Sequence, residues 1–226
     1  MTAQEIHNPM VSADDVKTVA LSLLETAPEG EPLSDKTRAL IEFALRMSVA
    51  ILDFDGGEAA GRHALDAGAS IDELHEVLAL MSGLGVHSLM GGSPRLAKLA
   101  RERAPGALDA PLDPARQTLW DKYVGTDRYW IRFEEETPGF LDALIRLSPD
   151  GFKAFMDYCA VPWLTNHVDA PSKELIAIAA DATATHRFLP GLRLHLRNAL
   201  RLGCGRKAIL ETLEIAAKAP PPLGVR

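Results

Sequence analysis

Apolar residues recur along most of the chain at the three- and four-residue spacing of an amphipathic helix, and strand-like alternation is nowhere sustained. The clearest example is the segment 191–214, in which Leu192, Leu196 and Leu200 mark one packed face. Gly203 then supplies the residue type that ends a helix in the left-handed conformation. The pattern predicts an all-α protein.

His195 lies on the apolar side of this predicted helix, directly before Leu196. Arg193, Arg197 and Arg201 form a separate stripe, which is typical of a solvated face. An inward-facing histidine is either a packed residue with satisfied ring nitrogens or an acid–base group, and its spacing favours neither.

Glycine and proline divide the rest of the pattern into further helices. Residues 1 to about 14 form an arm that we expect to be flexible. The helical run that continues after Met81 is expected to end at Gly91, Gly92 and Pro94. Helical spacing is found at residues 16–24, 34–51, 57–67, 70–81, 119–123, 140–145, 149–163 and 172–186.

An aromatic segment with an acidic end precedes the second group of helices. Tyr129, Trp130 and Phe133 are expected to present aromatic surface at an interface between copies of the chain. The acidic run 134–136 is interpreted as a solvated charge cluster and not as a pair of catalytic carboxylates.

The two halves of the chain carry the same order of helices and glycine stops. When Gly203 is placed over Gly68, a shift of 135 residues, His195 falls on Ala60 and His186 on Ile51. The candidate catalytic histidines therefore occur in the second copy alone.

Other aligned pairs agree in residue type and support the repeat: Leu40 with Leu175, Ala44 with Ala179, Arg62 with Arg197, Glu76 with Glu211, and Leu78 with Leu213.

We therefore divide the chain into a first helical repeat with its N-terminal arm (1–103), a linker rich in proline, alanine and glycine (104–127), and a second repeat (128–226). The second repeat is expected to be shortened at its C-terminus, because the prolines at 220–222 cannot continue a helix. His63 overlies Asn198 on the polar side and is expected at the surface.

Composition excludes several classes of partner. A net charge of -7 argues against a nucleic-acid-binding surface, and no apolar run approaches the length of a bilayer span. The N-terminus lacks the layout of a signal peptide, and the two cysteines, Cys159 and Cys204, have no redox or metal-ligand spacing. We expect a cytoplasmic protein that binds neither nucleic acid nor membrane.

The segment 191–214, GLRLHLRNALRLGCGRKAILETLE, resembles the signature of the carboxymuconolactone decarboxylase family, which includes the alkylhydroperoxidase-type disulfide reductases. The first copy, GRHALDAGASIDELHEVLALMSGLGVHSLMGG, is similar to the same signature. The resemblance extends over about 33–97 and 138–217. It implies an all-helical fold in tandem-repeat form and a homo-oligomer, often a trimer or hexamer, with sites near interfaces.

Two departures from the family pattern bear on the activity that the resemblance implies. Redox members carry Cys-x-x-Cys before the histidine, but those positions are Phe188 and Gly191 in the second copy and Asp53 and Gly56 in the first. Decarboxylase members keep the histidine without the cysteines, as here, but typically carry glutamate at the position of Gly191.

The resemblance makes His195 the candidate acid–base residue and His186 its partner or a substrate anchor. Decarboxylation or double-bond migration in a lactone acid needs proton transfer and enolate stabilisation. His186 is expected on the small-residue face of its helix. The candidate substrate-binding residues are Arg193, which would hold a carboxylate unless it faces solvent, His87, which would complete a pocket between repeats, and Asp181, which would orient His186.

No cofactor and no metal are predicted. A metal bound by His186, His195 and Asp181 is the less favoured alternative, because nothing in the spacing enforces ligand geometry. Three functions stay open: a cofactor-free lyase or isomerase of a small carboxylated or aromatic-derived molecule, an alkylhydroperoxidase-like relative, and a non-catalytic oligomeric binding protein.

Overall fold

The computed structural model describes residues 10–225, and these residues form twelve α-helices and no strand, which confirms the all-α prediction. None of these helices is long and apolar enough to cross a bilayer. Most of the predicted flexible arm lies outside the described residues. The helices are α1 (Ala13–Leu24), α2 (Asp35–Met47), α3 (Phe54–Asp66), α4 (Ile71–Ser82), α5 (Val86–Arg103), α6 (Pro114–Tyr123), α7 (Arg128–Glu136), α8 (Phe140–Leu147), α9 (Pro149–Leu164), α10 (Ala170–Ala182), α11 (Leu189–Arg201) and α12 (Arg206–Ala217).

Local sequence explains where the central helices begin and end. The Ser70 hydroxyl accepts a hydrogen bond from the Glu73 amide at 3.1 Å, and the Glu73 carboxylate accepts one from the Ser70 amide at 2.7 Å. Asp169 caps α10 by accepting from the Ser172 amide. Gly68 and Gly203 have φ values of 91° and 92°, so both copies stop in the left-handed conformation.

The helices α2 to α4 and α10 to α12 share one hydrophobic core, in which α2 packs directly against α10. At that contact the Thr37 and Ser172 hydroxyl oxygens lie 3.2 Å apart. These residues are equivalent under the 135-residue shift. A residue that meets its own equivalent marks a local twofold axis between the copies.

Two glutamates repeat the same contacts on either side of this axis. Glu76 accepts hydrogen bonds from the Val168 amide and the Lys173 ammonium. Its equivalent, Glu211, accepts them from the Leu33 amide and the Arg38 guanidinium, which occupy the matching positions. Each glutamate thus contacts residues of the other repeat at equivalent positions, which supports the tandem arrangement. The boundaries of the repeats at residues 103 and 128 stay predictions.

A second apolar cluster joins α6 to α9, and it corrects the expected aromatic interface. Phe133 is buried in this cluster, and Tyr129 and Trp130 are half-buried against it. The expectation that these three rings form an exposed patch was wrong for Phe133, because α7 turns its aromatic face towards α8 and α9.

Two expected helix ends differ from the structure. The helix α5 continues through Pro94 to Arg103, whereas α9 ends at Leu164, within one residue of the expected end. Proline removes only one backbone hydrogen bond, and packing against neighbouring helices outweighs that loss. The helix α10 ends at Ala182, so His186 lies in the turn before α11 and not on the small-residue face of a helix.

The helix α12 ends at Ala217, and no helix follows it among the described residues up to 225. The shortening of the second repeat stays a prediction. The helix α5, which follows α4 in the first repeat, packs against α8. This places the N-terminal end of α5 beside the helices of the second repeat.

Candidate active site

A cavity of about 560 Å³ lies where α5, α7, α9, α10 and α11 meet. Most of its wall is apolar or aromatic, and its polar side chains belong to a small number of helices. These are His87 on α5, Tyr129, Arg132, Glu136 and Thr137 at α7, Tyr158 on α9, Glu174 and Asp181 on α10, and His195, Asn198 and Arg201 on α11. An apolar pocket with a few convergent polar groups is the usual form of a small-molecule site.

His195 forms a hydrogen bond with Glu174 in the cavity wall. Its Nδ1 lies 2.6 Å from a Glu174 oxygen, and the other oxygen accepts from the Asn198 amide at 3.2 Å. Burial lowers the pKa of His195, but the charge of Glu174 and this hydrogen bond outweigh burial and leave the pKa above its ordinary value. With Nδ1 held, Nε2 is the nitrogen available for proton transfer.

The pair belongs to the second repeat alone. The equivalent of His195 in the first repeat is Ala60, and the equivalent of Glu174 is Ala39. Sequence reasoning found the histidine but missed the glutamate. The signal that could have found it is that Glu174 aligns with alanine, whereas the other charged residues of α10, Lys173 and Asp181, align with Arg38 and Arg46.

A second group of polar side chains lies at the other end of the helix pair α10 and α11. His87 Nδ1 lies 2.6 Å from His186 Nε2, and each of these nitrogens lies 3.6 Å from Asp181 Oδ1. Burial lowers the pKa of His186, and burial together with the nearby imidazoles lowers the pKa of His87 to about 3. Both rings are therefore neutral near pH 7.

Asp181 is almost completely buried, and neither of its carboxylate oxygens accepts a hydrogen bond from the described residues. Burial raises its pKa to about 7, although the charge of His195 acts in the opposite direction. Gly191 makes this position possible, because a Cβ there would collide with the Asp181 carboxylate. Only glycine lets the start of α11 approach α10 so closely.

The structure brings His195, His87 and Asp181 to the cavity wall, with His186 directly behind His87. It does not bring His186 to His195 as a hydrogen-bonded partner, since His186 pairs with His87 and His195 with Glu174. The predicted catalytic role of His186 and the predicted substrate-binding roles of His87 and Asp181 stay predictions.

Arg193 does not line the cavity. Its Nε donates to Glu136 at 2.6 Å, and Arg197 forms an ion pair with the other oxygen of the same carboxylate. The Glu136 side chain is buried, so the interpretation of 134–136 as a solvated cluster was wrong for this residue. A substrate-binding role for Arg193 stays a prediction.

Arg132 is the cation that sequence reasoning missed. It lines the cavity, its Nε is buried without a hydrogen-bond partner, and no acidic residue within residues 10–225 forms an ion pair with it. Its position within the aromatic segment of α7 concealed it, because that segment was interpreted as an interface. An unpaired guanidinium in an apolar cavity is suited to bind a carboxylate.

The two cysteines lie in environments that suppress thiolate formation. Burial raises the pKa of Cys159, which lines the cavity, to about 11. Burial raises the pKa of Cys204 to about 11 as well, with contributions from nearby carboxylates. A peroxidatic thiol needs the opposite shift.

The fold and the site together define a class: an all-helical tandem-repeat protein with an imidazole–carboxylate pair at an apolar cavity. The carboxymuconolactone decarboxylase family model matches residues 149–219, which span α9 to α12. A solved structure from Burkholderia xenovorans LB400, a "putative gamma-carboxymuconolactone decarboxylase subunit", is 32% identical, with a TM-score of 0.69 over 92% of this chain and 91% of that one.

No curated protein matches the chain. The identity to the Burkholderia structure, over nearly the whole length of both chains, shows that the chain belongs to the carboxymuconolactone decarboxylase family. This agrees with the family that the repeated signature segments indicated.

Proposed function

We propose that the protein is a lyase or isomerase that uses acid–base chemistry on a small carboxylated lactone or a related intermediate of aromatic catabolism. The observation that carries the proposal is the His195–Glu174 pair in the wall of a largely apolar cavity. The first repeat supports it, because the same fold is built there with alanine at both positions. The pair is therefore not required by the fold of the repeat.

The pair is suited to the proton transfers of this chemistry. In a decarboxylation, the bond between the carboxylate and the neighbouring carbon breaks, carbon dioxide leaves, and the electron pair enters a conjugated carbonyl as an enolate. The imidazolium of His195 then donates its Nε2 proton to carbon, and a proton from water restores it. Glu174 stabilises that imidazolium and fixes the ring, as the carboxylate of a catalytic triad does. In an isomerisation, His195 removes one proton and returns it at another carbon.

The cavity wall supports a substrate with acidic groups on a small ring. Its apolar surface favours loss of a charged carboxylate as neutral carbon dioxide, and the guanidinium of Arg132 is our candidate to hold a second carboxylate or the developing enolate. The description of the Burkholderia relative as a putative decarboxylase subunit agrees with this class of reaction. The low cysteine content fits the cytoplasmic location expected from the sequence.

The test is a screen of purified protein against a panel of carboxylated lactones and related unsaturated acids, scored for released carbon dioxide and for change in ultraviolet absorbance. On any substrate found, His195→Gln should lower turnover by about 10²- to 10⁴-fold, because glutamine keeps the size and hydrogen bonding but cannot transfer a proton near pH 7. His63→Gln is the matched control, since His63 is exposed on the helix of the first repeat that corresponds to α11.

Equal turnover of the two variants would contradict the proposed role of His195. Turnover of hydroperoxides, with loss of activity in a Cys159→Ser variant, would favour the alkylhydroperoxidase-like alternative instead. The raised pKa of that thiol argues against this outcome.

A further inference from the structure

We infer that His87, His186 and Asp181 form a binding site for a divalent transition-metal ion, of which zinc suits this donor set best. Two imidazole nitrogens and one carboxylate oxygen are a frequent ligand set of zinc sites that retain an open position. The site is separate from the His195–Glu174 pair, and its existence does not depend on the reaction proposed above.

The three ligand atoms already lie close to the arrangement that a metal ion requires. Both imidazole nitrogens are 3.6 Å from Asp181 Oδ1, and the two nitrogens are 2.6 Å apart. With bonds of about 2.1 Å to a tetrahedral ion, ligand atoms lie roughly 3.4 Å from one another. Binding therefore requires the two rings to separate by less than about 1 Å, and it leaves both distances to Asp181 almost unchanged.

The carboxylate of Asp181 lacks the partner that its burial demands. The residue is 1% exposed, and neither oxygen accepts a hydrogen bond from the described residues. Buried carboxylates are normally paired with a cation, hydrogen-bonded or bound to a metal. A bound cation would satisfy this carboxylate and both imidazoles at once.

In the first repeat, the charge at the same position is neutralised by a residue of opposite charge in the chain itself. The equivalent of Asp181 is Arg46, which forms an ion pair with Asp53 beside Gly56, as Asp181 lies beside Gly191. The equivalent of Asp53 in the second repeat is Phe188, which carries no charge. The second repeat thus keeps an ionisable group at this position, and no residue among 10–225 supplies the counter-charge at the position of Asp53. A bound cation would supply it.

The surroundings hold the ligands in place and leave one side open. The ring of His87 stacks on Phe188 with centroids 4.1 Å apart and planes at 17°. His87 and Asp181 line the cavity, so a fourth ligand would come from that side. This ligand would be a water molecule or an oxygen of an anionic small molecule in the cavity.

The test is metal binding by tag-free protein that has been stripped with a chelator and titrated with Co²⁺ or Zn²⁺ alone. We expect one ion per chain and, for Co²⁺, the ligand-field absorption of a four- or five-coordinate nitrogen–oxygen site. His87→Gln, His186→Gln and Asp181→Asn should each weaken binding by at least about tenfold. His63→Gln is the matched control and should bind as the wild type does, because His63 is exposed on a helix of the first repeat.

Melting temperatures distinguish a variant that has lost the metal ligands from one that folds poorly. Without metal, Asp181→Asn should melt at a temperature no lower than the wild type at pH 8, because it removes an unsatisfied buried charge. Zn²⁺ should raise the melting temperature of the wild type and of His63→Gln but not of Asp181→Asn.

Three results would overturn the inference: no binding above the level of surface histidines, unchanged binding in all three ligand variants, or a thiolate charge-transfer band that disappears with Cys159→Ser. All of these measurements are made without substrate. Failure of the metal site and failure of the proposed reaction are therefore distinguishable.

Discussion

The contacts of Glu76 between the two repeats allow us to predict how much stability the Glu76→Gln variant loses. Its carboxylate accepts hydrogen bonds from the Lys173 ammonium at 2.6 Å, the Thr165 hydroxyl at 2.5 Å, and the amides of His167 and Val168 at 2.8 and 3.1 Å. The side chains of both Glu76 and Lys173 are only 2% exposed. Replacement of Glu76 by glutamine keeps the size of the side chain and removes its charge, and it leaves the Lys173 ammonium buried without a counter-ion.

The magnitude follows from the pKa of Glu76. Burial alone raises this pKa, but the hydrogen bonds from Lys173, Thr165 and the two amides lower it from 4.5 to about 2. A folded-state pKa this far below the unfolded value contributes about 3 kcal/mol of stability at pH 7. That contribution is fully present above pH 4.5 and is lost as the pH falls from 4.5 towards 2.

The assay is thermal and denaturant unfolding of wild type and Glu76→Gln at several pH values. At pH 7 we expect the variant to lose about 3 kcal/mol, or roughly 6–12 °C in melting temperature for a chain of this size. The difference between the two proteins should shrink as the pH is lowered below 4.5, because the wild-type carboxylate is then protonated.

The chain supplies its own control in the equivalent residue across the local axis. Glu211 makes two of the four equivalent contacts, with the Leu33 amide and the Arg38 guanidinium, and its side chain is 22% exposed and that of Arg38 is 37% exposed. Glu211→Gln should therefore cost less than about 1 kcal/mol. Equal losses in the two variants, or a Glu76→Gln loss that does not change with pH, would refute the reasoning from burial and charge.

Four further predictions concern the site and the assembly. Arg132→Met should raise KM by about tenfold or more with a smaller effect on kcat, measured by steady-state kinetics on a substrate from the screen, because it removes a carboxylate anchor. Glu174→Gln should move the limb of the pH–rate profile that reports His195 to lower pH, since the charge that raises the histidine pKa is gone; an unmoved limb would contradict the pairing. Replacement of Cys159 and Cys204 by serine should change turnover less than about tenfold, and a larger loss in a folded protein would restore the thiol mechanism. Light scattering should show a homo-oligomer at micromolar concentration, as the family resemblance implies, and a monomer would count against it.

Much of the fold could be predicted from the sequence, because helices and their ends are local. The periodicity of three and four residues identified the helices, Ser70 identified a capping box, and Gly68 and Gly203 identified two left-handed stops. The repeat of 135 residues could also be recognised, because the two halves pack in the same way and therefore carry apolar residues and glycines at equivalent positions. Where a helix end was wrong, as at Pro94, packing against distant helices outweighed a local preference.

The candidate site was predictable only in part. His195 was identified because it interrupts an apolar face, whereas its partner Glu174 was not. The reason lies in α10, in which residues 172–181 are all buried. A helix that is buried on every side has no polar face in its sequence pattern, so the pattern cannot tell which of its residues points into a cavity.

The sequence by itself determined an all-helical chain built from two similar units, with the distinctive residues in the second. The tertiary structure alone decided that Glu174 meets His195 and that His87 from the first repeat meets His186 and Asp181 in the second. It also decided that Arg132 has no acidic partner among residues 10–225. These contacts join residues on different helices and depend on the local twofold packing of the repeats. Periodicity along the chain reports which side of a helix is buried, but it carries no information about which buried side chains come within hydrogen-bonding distance.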